Sequence, residues 1–395
     1  MRSEEVYDLT TLKGEILEIV KRCVRCRFCF TECPVYEVSD GWLIQGASGI
    51  TQSLYYGILL DKVDEKLRDI LMRCTTCRSC EIICERLMAG VKLVEAIEKG
   101  RQLLLESGVN PLHEQQKALE SLQVFGNPYG EHPLKRTAWA EGLGIPFIED
   151  YPDLQTIYYV GCTAAYDNRV QKVATAFVEI MRSVGIAFGI MKDEKCCGDP
   201  AFVMGEAGLF EVLQDENSRR MKPYAVRELI VTCPHGFNVF RTDYPKEVGE
   251  KLMILHHTQF IHNLLKTKKL NFQKKSESSI RVTYHDPCYL GKYNNVYEEP
   301  REILRSIPGI EIIEMERIKQ KSLCCGGGGG RMWADFDEER RLSELRIEEV
   351  LATGAELLVT ACPFCLVNLE DAVKTMGVEE KILVKDIAEI VAEYI

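Results

Sequence analysis

The chain has 395 residues, enough for two or three domains with a substantial core, and its formal net charge of -11 excludes nucleic acid as a partner, since phosphate binding needs clustered positive charge. No apolar run of about 18 residues is present to form a membrane span, and the start, MRSEEVYDL, lacks the basic and apolar regions of a signal peptide, so a cytoplasmic protein is expected. Seventeen cysteines, an odd number, are too many for core filler and do not suit a disulfide framework in a reducing compartment.

In chain order, residues 11 to 22 place Leu12, Ile16, Ile19 and Val20 on one helical face and lead into Cys23, Cys26, Cys29 and Cys33, followed by Pro34. A second amphipathic segment with Val63, Leu67, Ile70 and Leu71 leads into Cys74, Cys77, Cys80 and Cys84 at the same C-x2-C-x2-C-x3-C spacing, with Glu85 in place of the proline. Such runs wrap [4Fe-4S] cubes, and in two-cluster ferredoxins the fourth cysteine of each run crosses to the other cube. The expected sets are therefore Cys23, Cys26, Cys29 and Cys84 on one cluster, and Cys74, Cys77, Cys80 and Cys33 on the other. Zinc, which takes two separated C-x2-C pairs, fits this spacing poorly. Arg22, Arg25, Arg27, Arg73, Arg78 and Arg86 interleave with these cysteines, either to stabilise anionic clusters or as a solvated face that docks an acidic partner.

Residues 92 to 107 read as a helix ending at Gly108, which closes an N-terminal helical domain at 1–108. Residues 109–151, including the turn-forming FGNPYGEHP, read as a linker. From 152 the chain repeats itself. Cys162, Cys196-Cys197-Gly198 and Cys233 recur as Cys288, Cys324-Cys325-Gly326 and Cys362, at offsets of 126, 128 and 129 residues. Strand candidates (TIYYVGC, AFGIM, LIVTC; RVTYHDPC, EIIEM, LLVTAC) alternate with helical stretches such as 168 to 184 and 338 to 353. The fold class is thus α+β overall: a helical double-cluster domain followed by two tandem α/β units, at 152–275 and 276–395, with cysteines at strand ends.

The second unit also carries Cys365, whereas Gly236 stands at that position in the first, so five thiols converge in one unit and four in the other. His235, beside Gly236, is either a substitute ligand or a hydrogen-bonding surface residue. His285 and Asp286 are the titratable pair nearest Cys288 and suit a proton relay, although Asp-Pro-Cys also suits a helix cap. Gly326 and Gly327 open a five-glycine run that lets backbone N–H groups approach cluster sulfurs. A dinucleotide loop lacks the strand, helix and distal acid it needs.

The combination C-x35-C-C-G with a distal C-x2-C resembles the cysteine-rich CCG domain of the B-type and D-type chains of heterodisulfide reductase. Joined to a double-cluster ferredoxin domain, it is most similar to the D-type chain, over nearly the whole length. The resemblance implies that Cys288, Cys324, Cys325, Cys362 and Cys365 hold a non-cubane [4Fe-4S] cluster, fed by the two cubanes, at which a coenzyme M/coenzyme B type disulfide is reduced. In the first unit Cys162, Cys196, Cys197 and Cys233 form an altered site, with a further cluster there left open. The implied partners are a membrane cytochrome b-type subunit, or a flavin or ferredoxin electron donor, and a small thiol or disulfide. Any membrane association would be peripheral and through a partner. The alternative is an electron-transfer subunit of a flavin-dependent 2-hydroxy acid or glycerol-3-phosphate dehydrogenase complex.

Overall fold

The computed structural model describes residues 8–87, 89–249, 251–273 and 279–395; the first seven residues and the expected boundary at 275/276 lie outside the described residues. The chain forms two compact units. The first is Met1–Leu119 joined by two later segments, Pro200–Phe210 and Gly326–Leu342; the second comprises Glu120–Asp199, Glu211–Cys325 and Ser343–Ile395. The repeats therefore each surrender a short piece of chain, the one that follows their paired cysteines, to the N-terminal unit.

In the first unit, Asp8 caps the helix Leu9–Lys21 by accepting from the backbone N–H groups of Thr10 and Thr11 at 3.0 and 3.3 Å. That helix buries Leu12, Ile16 and Val20, as its period predicts. They pack with Leu54 from Ala47–Leu59, Leu71 from Glu65–Met72, and Ile97 and Leu104 from Leu93–Glu106. Each such side chain taken from water contributes about 1.5–3 kcal/mol. Leu9–Lys21 and Glu65–Met72 each end two residues before the first cysteine of a run, so the helical core sets the position of both loops.

In the second unit all strands are parallel. Strands β1 (Thr156–Tyr159), β2 (Glu228–Val231) and β3 (Met253–His256) form one sheet in that order. Strands β4 (Ile280–Tyr284), β5 (Ile310–Ile312), β6 (Leu357–Thr360) and β7 (Leu383–Asp386) form another, ordered β5-β4-β6-β7. β1, β2 and β3 thus correspond to β4, β6 and β7. The stretch AFGIM forms no strand of its own, only isolated bridges from Gly189 to Ile157 and from Ile190 to Phe147. Its backbone bonds go partly to the preceding chain, with Ile190 N–H donating to Pro146 O at 3.1 Å and Ile148 N–H to Ile190 O at 3.0 Å. Residues 109–151 are correspondingly more than a tether: they hold the helix His113–Phe125 and the chain that completes this sheet edge.

The same cap closes both repeats. His256 caps His257–Lys266 with Gln259 reciprocating, and Asp386 caps Ile387–Tyr394 with Glu389 reciprocating. His257 Nε2 and Asp386 Oδ1, both fully buried, lie 3.1 Å apart and tie the two caps together.

Candidate metal centres

The two N-terminal cysteine runs have matching backbones. Arg25 and Arg27 adopt φ of 58° and 65°, and their counterparts Thr76 and Arg78 adopt 50° and 64°. A left-handed conformation costs a non-glycine residue about 1–2 kcal/mol, and it persists where the surroundings over-determine it. Cys23, Cys26, Cys29 and Cys84 line one pocket, so the fourth cysteine of the second run joins the first three of the first. Cys33 lies in the field of Cys77, and Cys74 and Cys80 feel Cys33 in turn.

Burial pushes the thiols of Cys29 and Cys74 up to about 12 and that of Cys33 to about 11, with neighbouring thiols adding to the shift at each. Left alone, such groups stay protonated; a bound metal deprotonates a thiol outright. All seventeen cysteines are free thiols. Two sets of four convergent thiols in apolar surroundings therefore fit two four-iron cubes. The interleaved arginines divide their roles: Arg78 pairs with Glu81 at 2.9 Å, and Arg73 lies 3.7 Å from Glu338.

In the second unit Cys162, Cys233, Cys288 and Cys362 stand at the starts of helices that follow strands, and the pairs Cys196-Cys197 and Cys324-Cys325 lie in loops. Cys362 is the N-cap of Pro363–Thr375 and Cys365 sits in its first turn, where the helix dipole favours thiolate. Proline at the first helical position costs no hydrogen bond and explains the Cys-Pro pairs at 233 and 362. Cys288 begins the short helix Cys288–Gly291 after β4. Cys288, Cys324, Cys325, Cys362 and Cys365 are all buried. Cys365 Sγ lies 3.3 Å from Cys325 Sγ. Burial drives the Cys365 thiol well up, whereas at Cys362 hydrogen bonds from Cys365 and His235 overcome burial and pull the thiol down.

A ring nitrogen of His285 and the sulfurs of Cys325 and Cys365 lie within 4.8 Å of one another. Arg346 Nε donates to His285 Nδ1 at 3.1 Å, which places the imidazole proton on Nε2. Nε2 is buried and has no hydrogen-bond partner. Burial, helped by the Arg346 charge, holds His285 well below the usual histidine range, so the ring is neutral. A buried donor without a partner, on a ring that stands beside two thiols, is able to donate to an anionic sulfur or a metal–sulfur group.

Asp286, expected with His285 as a proton relay, has both oxygens committed. Arg301 donates to Oδ1 and Oδ2 at 2.7 and 2.9 Å, and Lys319 N–H donates to Oδ2 at 2.7 Å. It does not cap the helix either, because Pro287 occupies that position. Its carboxylate instead pins the loop that leads to Cys324.

In the first repeat, Arg136 and Glu194, 3% and 4% exposed, form a buried ion pair beside Cys162. Arg136 Nη1 donates to Cys162 Sγ at 3.2 Å, while Glu194 accepts the N–H groups of Val160 and Gly161 at 2.9 Å each. A Cβ on Gly236 would lie 3.8 Å from Cys197 Sγ, so the position does face the thiols of this site. His235 is not at the surface. It is buried, packs against Tyr289 with ring centroids 4.0 Å apart and planes tilted by 39°, and places Nδ1 3.7 Å from Cys233 Sγ.

Arg136, Arg301 and Arg346 escape a reading of the sequence, because a charged residue far from any motif has no local signature there; Glu194 lies two residues before Cys196 but reads there as an ordinary charge among the charged residues Asp193 and Lys195. Arg101 does leave a trace, a charge on the apolar face of Leu93–Glu106 in register with Ile97 and Leu104.

Comparison with known proteins agrees with this layout. A 4Fe-4S dicluster domain matches residues 19–87, and a cysteine-rich domain matches twice, at 156–241 and 282–370. The D-type chain of the dihydromethanophenazine:CoB–CoM heterodisulfide reductase of Methanosarcina barkeri is 31% identical over 98% of this chain and 96% of its own length. The probable iron–sulfur-binding oxidoreductase FadF of Bacillus subtilis is 34% identical over 81% of this chain. The EtfAB:quinone oxidoreductase of Syntrophomonas wolfei is 32% identical over 80%. The chain spans a little under half the length of the last two, 46% and 45%. Among the described residues no helix is long and apolar enough to cross a membrane.

Proposed function

Because the chain belongs to the family of the D-type heterodisulfide reductase chain, a family of iron–sulfur oxidoreductase subunits, we propose that it reduces a small disulfide of the coenzyme M/coenzyme B type at the five-cysteine site of its second repeat. Cys288, Cys324, Cys325, Cys362 and Cys365 would hold a non-cubane four-iron cluster, with cubanes on the two N-terminal sets and donor and acceptor supplied by partner subunits. The observation that carries the reading is a neutral His285 whose ring stands beside Cys325 and Cys365 and whose buried Nε2 has no hydrogen-bond partner.

When bound, the cluster supplies single electrons and an iron that captures sulfur. The protein's own groups do the rest. The net change breaks one sulfur–sulfur bond, takes up two electrons and two protons, and releases two thiols. His285 Nε2–H donates to the sulfur that becomes anionic, and Arg346 fixes the ring in the tautomer able to do so. Asp286 and Arg301 hold the Lys319–Cys325 segment in place. Burial of all five thiols keeps water from competing for the sulfur.

A second reading follows from the FadF and EtfAB:quinone oxidoreductase relatives, in which the chain would relay electrons without breaking a sulfur–sulfur bond. Addition of coenzyme M to oxidised, anaerobically reconstituted protein separates the two. We expect a thiol-dependent change in the paramagnetic spectrum, its complete loss in Cys365→Ala with the cubane signals retained, and about 12 iron atoms per chain falling to about 8. A spectrum indifferent to every small thiol would leave electron relay as the function.

A further inference from the structure

Arg101 is a fully buried arginine, 0% exposed, within the N-terminal unit. Its guanidinium is a clamp on backbone carbonyls. Nε and Nη2 donate to Leu71 O at 3.3 and 2.7 Å, and Nη2 also donates to Cys74 O at 2.7 Å. Nη1 donates to Val203 O at 2.6 Å and to Gly329 O at 3.0 Å. Val203 and Gly329 belong to the two segments that follow Cys196-Cys197-Gly198 and Cys324-Cys325-Gly326. One side chain therefore joins the loop of the second N-terminal cluster to the equivalent extension of each repeat.

Glycines make the approach possible. A Cβ on Gly328 would stand 2.4 Å from Thr75 O, and one on Gly329 would stand 2.2 Å from Cys74 O; Gly329 also has φ +61°. A Cβ on Gly205 would stand 2.5 Å from the Arg101 carbonyl carbon, at φ +96°. Gln115 Nε2 donates to Gly330 O at 3.1 Å and Arg331 Nη1 to Arg73 O at 3.0 Å, so the run is fastened beyond the clamp as well. Gly328 and Gly329 thus serve contact with the Cys74–Thr75 backbone, while a Cβ on Gly330 would stand 2.7 Å from Met204 Cγ.

We propose that Arg101 is a positioning residue for electron transfer: it fixes the glycine run, one peptide bond from Cys325, against the loop of the Cys74 cluster as a through-bond path, and its charge raises that cluster's potential. The inference rests on the reading that Cys33, Cys74, Cys77 and Cys80 hold a four-iron cluster and that the cysteines of the second repeat hold a redox centre that accepts the electron. The step is the passage of one electron from that cluster to the site of Cys325, with no bond made or broken. A guanidinium beside an anionic cluster stabilises its reduced, more negative form. Hydrogen bonds to the backbone of a ligating residue hold the ligand and so tune the metal.

The test uses the full chain, reconstituted anaerobically, with redox titration of both cubane signals and freeze-quench timing of electron arrival at the second-repeat site. In Arg101→Gln one cubane signal should titrate at lower potential while the other stays. Arg101→Lys, which keeps the charge and loses the fork, should leave both potentials in place and slow electron arrival several-fold. Gly328→Ala should slow arrival likewise, because its Cβ forces the run off Thr75. Unchanged potentials in Arg101→Gln, or native arrival times in both Arg101→Lys and Gly328→Ala, would overturn the proposal. If Arg101→Gln does not fold, the Arg101→Lys and Gly328→Ala pair decides the matter. Failure of the disulfide reading with the second-repeat cluster in place would show as a missing thiol response and would leave these potentials and timings untouched.

Discussion

The two repeats share strands, caps and a buried arginine–carboxylate pair, yet they spend that pair differently. In the first, Arg136 aims a guanidinium nitrogen at Cys162 Sγ, so positive charge from the protein itself already meets a thiol of the site. In the second, Arg301 turns to Asp286 and Glu314, the pair becomes scaffolding, and a neutral histidine with an unmet donor stands at the thiols instead. On the proposed function, a duplicated frame keeps one copy open for sulfur chemistry while a side chain of the protein occupies the other, with Cys365 against Gly236 as the visible marker.

The largest test of this comparison removes the scaffold. Arg301→Met leaves Asp286 buried without its counter-charge, and breaking such a pair costs about 3–5 kcal/mol. Chemical denaturation should show that loss, and a change below about 1 kcal/mol would mean that Asp286 is not held as described.

The caps give a pH test. Burial, with the charge of His257 second, depresses His256 well below the histidine value. A base whose folded value is depressed contributes full stability above its unfolded value of about 6.5 and loses it as pH falls towards the folded value. The cluster-free protein should therefore lose up to about 1.4 kcal/mol per pH unit below about pH 6.5 from this group. Denaturation midpoints from pH 7.5 to 5.5 in wild type and His256→Asn should diverge; parallel lines would show that the first-repeat cap is no more acid-sensitive than the Asp386 cap.

The smallest expected effect is Gly236→Cys. Its Cβ would sit 3.3 Å from Val231 Cγ1, which has to yield by a few tenths of an ångström, so we expect a loss of about 1 kcal/mol. The variant also gives the first site a fifth thiol. Iron content after reconstitution should exceed wild type if the missing cysteine is what distinguishes the copies, and should stay level if Arg136 is.

The metal sites are legible as spacing because thiol sets on short loops leave a local pattern, and the helices at 11–22, 92–107 and 168–184 are legible as periodicity. What decides the character of each site is not. Arg136 lies in a stretch that reads as linker, and Arg346 acts on His285 from 61 positions away. The glycine run announces a close approach but not its partner, since backbone carbonyls such as Cys74 O carry no sequence signature. Asp286 reads as a proton relay or a helix cap because its neighbours in sequence are His285 and Cys288; its neighbours in space are Arg301 and the Lys319 backbone.

The interleaving of the N-terminal unit bears on how such a protein can be inherited. A gene fragment ending at residue 119 would encode the cysteine runs but not Leu342, which belongs to one of that unit's core clusters, nor the carbonyls of Val203 and Gly329. A buried guanidinium would then lack two acceptors, at about 1–3 kcal/mol for each unmet group. The ferredoxin-like part is thus no detachable cassette, and a recombination event that swapped it would have to carry both later segments or evolve a new floor beneath Arg101.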